Sequence, residues 1–139
     1  MQTLAITLIT LASAIPLLLG LRHLYHTFHG PKLTPRDSEL KARMQQVPLV
    51  ITRQTTMWKA WLGFNATHSI GLILFGVIYG YLALAHSVIL FHSAFLLALG
   101  LITLIAYAVF SRLYFFRIPL IGMVLATACF AFGIIASLT

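Results

Sequence analysis

The sequence predicts an all-α integral membrane protein: an up-and-down four-helix bundle with a short amphipathic helix at the interface in its first cytoplasmic loop. Three observations carry this. Hydrophobic residues make up 60 % of the chain and charged residues 8 %, far from the balance of a soluble globular domain. Four apolar runs are each long enough to supply the roughly 20 helical residues that cross a bilayer core. All nine Lys and Arg residues fall in two stretches, Arg22 to Lys59 and Arg112 to Arg117, which flank the connections after the first and third runs. Cationic side chains beside spans are retained on the cytoplasmic side, so both termini are expected outside.

The 139 residues are read as one transmembrane domain. The first span covers about residues 3 to 25. Ala12-Ser13-Ala14 has the small-x-small form of a signal-peptide cleavage site. No basic residue precedes the apolar run, however, and the run continues through Pro16 to Leu21, so it is expected to stay as a span. Pro16 is expected to kink it. A polar connection follows from Gly30 to Thr56. Thr34-Pro35-Arg36-Asp37 has the spacing of an N-cap, a proline in the first turn and an acid at the third position. Leu40, Met44 and Val47 then recur as one narrow apolar stripe beneath Arg36, Lys41 and Arg43, and Pro48 ends the run. This is the helix expected to lie on the cytoplasmic membrane surface.

The second span, about 57 to 84, opens with Met57-Trp58-Lys59-Ala60-Trp61, an aromatic and basic interfacial marker. A neutral turn, Ala85-His86-Ser87, leads to a third span of about 88 to 111. The cluster Arg112, Tyr114, Phe115, Phe116, Arg117 closes it, and a fourth span covers about 118 to 138. Connections this short make neighbouring helices antiparallel.

The net charge of +7 flanks apolar spans, where topology and anionic headgroups account for it, so no nucleic-acid partner is expected. Cys129 is the only cysteine; it excludes a disulfide framework, and its apolar neighbours suggest an inert thiol. No cofactor is expected.

The most conspicuous polar group within a span is Asn65-Ala66-Thr67-His68-Ser69. Counted from Trp58, His68 lies roughly 15 Å deep, at mid-bilayer. The same depth on the other helices brings in Ser13, Thr103 and Thr127, so a polar midplane layer of Asn65, His68, Ser69, Ser13, Thr103 and Thr127 is a candidate ligand site. Hydrogen bonding that fixes helix packing is the competing account of these residues, and the preferred one. Arg53, Lys59, Arg112 and Arg117 form a candidate anion or headgroup site. His23, His26 and His29 form a weak metal candidate. From one straight helix they cannot share an ion, because the outer two are about 9 Å apart along the axis, so interfacial histidines are preferred and no metal is expected. His92 lies roughly 13 Å from the depth of His68, which excludes a haem between them. Neither acid, Asp37 or Glu39, lies in a span, so the carboxylate of a coupled pump is missing. Gly76-x-x-x-Gly80, Gly122-x-x-x-Ala126 and Ala94-x-x-x-Ala98 allow close helix approach within the bundle or between protomers.

The run Thr52 to Asn65, continuing through His68-Ser69, resembles the signature of uncharacterised small bacterial four-span membrane proteins, which implies the bacterial inner membrane and no particular activity. The plan is also similar to the MAPEG family of trimeric glutathione- and lipid-handling enzymes: outside termini, a long basic first cytoplasmic loop and a tight second one. Tyr107, Arg112 and Arg117-Ile118-Pro119 echo that family's entry to the fourth span. Its second helix carries a basic residue, Ala and His, then Asn and Glu. Aligning Lys59-Ala60 puts Ala66 at the Glu, and aligning Asn65 puts His68 there. Neither alignment keeps the acid that binds the glutathione amine, so thiol conjugation does not carry over.

The favoured function is a non-catalytic accessory or interaction component that packs with protein partners or anionic lipid on the cytoplasmic side, with a homo-oligomer or larger membrane complex left open. An enzyme or binding protein for an amphipathic small molecule is the first alternative. A homo-oligomeric transporter or pore is the second.

Overall fold

The computed structural model describes all of Met1–Thr139. In chain order the elements are α1 (Gln2–Phe28), α2 (Ser38–Gln46), β1 (Pro48–Leu49), β2 (Thr52–Thr56), α3 (Met57–Ala85), α4 (Ser87–His92), α5 (Ala94–Tyr114) and α6 (Arg117–Ser137). The four long ones, α1, α3, α5 and α6, are each long and apolar enough to cross a membrane. The fold is an all-α membrane bundle. The chain divides into two compact units, Met1–Leu19 with Leu72–Thr139, and Gly20–Gly71.

The first unit is the bundle proper. Its core gathers Ile9 and Ala12 of α1, Phe75, Tyr79 and Ala83 of α3, Leu90 of α4, Leu97 and Leu104 of α5, and Ala126 and Phe130 of α6. Glycines set the helix spacing. A Cβ added at Gly76 would fall 2.6 Å from both Leu17 Cβ and the Ser13 carbonyl oxygen, so α3 lies directly on the α1 backbone. One at Gly100 would meet the Phe130 and Tyr79 rings, at 2.5 and 2.7 Å. Gly122 of α6 faces Leu19 while Gly133 faces Ile9; the reversed order makes α1 and α6 antiparallel. Tyr79 stacks on Phe75 at 4.6 Å and meets Phe130 edge-on at 5.4 Å, and its hydroxyl donates to the Leu96 carbonyl at 2.8 Å. A tyrosine fits this core because its one polar atom finds an acceptor. Pro16 sits inside an unbroken α1.

The third apolar run differs from its expected form, since the helix is interrupted at Ser93. Ser93 has extended backbone angles and its hydroxyl accepts from the Leu96 N–H, capping α5 and leaving Ser87–His92 as the separate short helix α4.

In the second unit, Gly30 turns the chain after α1 with φ +80°, a conformation glycine adopts without strain. The helix start also differs from expectation. Asp37, not Thr34, is the N-cap of α2, its carboxylate accepting from the N–H groups of Glu39 at 2.8 Å and Leu40 at 3.3 Å. Thr34 is held in a turn, its amide and hydroxyl both donating to the Pro31 carbonyl. The helix stops at Gln46, with Val47 extended ahead of Pro48 as proline requires of its predecessor. Residues expected as plain connection form an antiparallel hairpin, β1 with β2, which leads into α3. Its tip is apolar and open, with Val50 and Ile51 at 109 % and 89 % exposure. α2 has no buried residue, and of the apolar stripe Leu40 and the C-cap Val47 are exposed while Met44 is half-buried.

Candidate functional site

The site with the most developed geometry lies in the Gly20–Gly71 unit, where α1 and α3 bring His23, Asn65 and His68 together. Asn65 donates through Nδ2 to the Trp61 carbonyl one turn back on its own helix, at 2.8 Å. That commitment turns Oδ1 toward α1, where it accepts from His23 Nε2 at 2.9 Å. The proton on His23 is thereby fixed to Nε2, and in the neutral ring Nδ1 is an acceptor. The His68 ring meets the His23 ring edge-on, with centroids 5.4 Å apart and planes at 80°. Ser69, fully buried, donates to the Asn65 carbonyl at 2.8 Å. The cluster is an interhelical polar link, with an imidazole pair able to hold or pass a proton or to orient a polar ligand group.

The sequence pattern marks Asn65 and His68 but leaves His23 among the interfacial histidines. The His23–Asn65 bond joins positions 42 residues apart, which a depth count from Trp58 does not reveal. Trp61, expected at the interface, donates its indole N–H to the Leu33 carbonyl at 2.9 Å, and Trp58 carries Lys41 Nζ 5.1 Å above its ring. The first turns of α3 therefore contact the polar connection through Trp58 and Trp61, while Phe64 stays exposed. The level of His68 on α3 is that of His23, close to the basic end of α1.

The other members of the expected midplane layer have local partners. Ser13, Thr103 and Thr127 each donate a hydroxyl to a carbonyl one turn back on their own helix, those of Ile9, Leu99 and Met123. Ser13 packs where α3 carries Gly76, further along that helix than His68.

The histidine series is likewise divided among partners. His23 bonds Asn65, His26 Nε2 accepts from Lys32 Nζ at 3.2 Å, and His29 donates to the Tyr25 carbonyl while its ring stacks on Tyr25 at 4.8 Å. No three His, Cys, Asp or Glu side chains converge as metal ligands.

Of the candidate headgroup residues, Arg53 on β2 and Lys59 in the first turn of α3 are exposed in the Gly20–Gly71 unit. Arg112 near the end of α5 and Arg117 at the start of α6 are exposed in the bundle unit, on either side of the Phe115–Phe116 turn. Cys129 is a free, half-buried thiol on α6.

Compared with known proteins, the chain matches no family model, no curated protein and no solved structure. What it can do is read from its own side chains.

Proposed function

We propose that the protein is a non-catalytic component of a bacterial inner membrane, with both termini external and its basic connections gripping anionic headgroups on the cytoplasmic side. The observation that supports this is the state of the charges. Arg53 in the hairpin before α3, and Lys59, Arg112 and Arg117 at the ends of the long helices, are all exposed. Of the only two acids, Asp37 has its carboxylate occupied by the cap of α2. Each cation near an anionic leaflet contributes about 1 kcal/mol, so several exposed together give a firm preference without any enclosed pocket. Exposed Leu40 and Val47 and the open Val50–Ile51 tip add apolar surface for lipid or a protein partner to cover.

Native mass spectrometry of the protein released from its own membrane in mild detergent tests this. Retained anionic lipid or protein partners support the proposal. A small molecule other than a phospholipid, retained at fixed stoichiometry, contradicts it.

The His23–Asn65–His68 cluster favours a second reading, a binding protein for an amphipathic molecule whose polar group the imidazole pair orients. Under that reading His68→Phe folds normally and loses the retained molecule. Unchanged retention in His68→Phe removes the cluster from the function.

A further inference from the structure

Where α5 and α6 lie side by side, Ala108, Val109, Arg112 and Leu113 of one and Leu120 and Val124 of the other line an open trough of about 330 Å³. Its walls follow from helix periodicity. Ala108 with Arg112, and Val109 with Leu113, are i and i+4 pairs that make adjacent ridges on α5, and Leu120 with Val124 makes one ridge on α6. The small side chain at 108 leaves space between the ridges. Five of the six lining residues are aliphatic. The sixth, Arg112, is near the turn, and Arg117 stands just beyond it.

These two arginines are the only Arg, Lys, Asp or Glu residues in the bundle unit, since both acids belong to Gly20–Gly71. Both helices are long and apolar enough to cross a membrane, and an apolar trough between them with a cation at the end where they turn is complementary to an alkyl chain carrying an anionic head. The arginine stem extends the apolar wall while its guanidinium takes a phosphate in bidentate fashion. A second copy of the chain suits the trough less well. Two-fold docking there sets Arg112 of one copy near Arg112 of the other, and no acid in the unit separates them.

Building on the lipid-gripping proposal above, we infer that the α5–α6 trough is a specific site for one anionic phospholipid, an acyl chain lying along Ala108, Val109 and Val124 and the phosphate bound by Arg112 with Arg117 beside it.

The test titrates the full chain in detergent with phosphatidylglycerol or with phosphatidylcholine of the same acyl chains, counting bound lipid by native mass spectrometry. One phosphatidylglycerol is expected to bind ahead of phosphatidylcholine. Arg112→Gln, a change at an exposed side chain, is expected to weaken it about fivefold, the equivalent of about 1 kcal/mol per cation. Ala108→Phe fills the trough and is expected to weaken it at least as much. A phosphatidylglycerol preference that survives both Arg112→Gln and Ala108→Phe but falls in Arg53→Gln overturns the trough and leaves the general lipid proposal standing. No preference in the unaltered protein overturns both. A dimer that Ala108→Phe dissociates assigns the trough to a second copy and overturns the inference.

Discussion

Asn65 is the residue on which the candidate site turns, because its amide is used at both ends. Nδ2 goes to its own helix and Oδ1 to His23 on another, so the side chain cannot reorient without leaving a polar atom unmatched. Interhelical hydrogen bonds within membranes contribute about 0.6 kcal/mol on average and up to about 1.7. A double-mutant cycle of His23→Ala and Asn65→Ala, read by reversible unfolding in bicelles, is expected to give a coupling energy of about 0.5 to 1.5 kcal/mol. Additive losses would remove the link. Thr103→Val is expected to change stability by less than about 0.5 kcal/mol, since the Thr103 hydroxyl bonds only its own helix. Of this site, Asn65, His68 and Ser69 were legible in the sequence because polar residues stand out in an apolar run. His23 was not, because no local pattern says which residue of another helix lies level with it.

At the scale of elements, the glycines separate two roles that sequence spacing presents alike. Gly76 and Gly63 both lie in α3, but an added Cβ at Gly76 would strike the α1 backbone at 2.6 Å, whereas at Gly63 nothing lies within 4 Å. Gly76→Ala is therefore expected to destabilise by about 1 to 3 kcal/mol through overpacking. Gly63→Ala is expected to be neutral or to stabilise by up to about 1 kcal/mol through helix propensity. Equal effects in the same unfolding assay would contradict the close approach of α1 and α3. The small-residue pairs were visible in the sequence, but which way they face was not. Gly76 and Gly122 look into the bundle, while Ala94 and Ala98 look out. In the connection, Asp37→Ala is expected to remove about 1 kcal/mol from α2, read as faster hydrogen exchange at Glu39 and Leu40. Unchanged exchange there would mean that Asp37 is not the cap. Hydrophobic run length delivered the four long helices, the strongest signal such a chain carries. The hairpin and the break at Ser93 escaped it, because both depend on one or two hydroxyl and backbone contacts rather than on periodicity.

For the molecule as a whole, the charge distribution is what the proposed function rests on. Cations lie in the connection between α1 and α3 and at the ends of the long helices, the acids number two, and the bundle unit contains neither acid. The proposed orientation follows from the positive-inside tendency. Cysteine substitution at Ser38 and Ser87, after Cys129 is replaced, is expected to give labelling from the cytoplasmic side at Ser38 and from the external side at Ser87. The reverse pattern would place the basic connections against the wrong leaflet. The central claim, that these connections hold anionic lipid, is tested most directly by excising the protein from its membrane in polymer-bounded discs and measuring the lipids carried with it. Enrichment of anionic phospholipid over the bulk membrane, reduced when Arg53, Lys59, Arg112 and Arg117 are all changed to Gln, is the result expected. A lipid complement matching the bulk membrane in both proteins would contradict it.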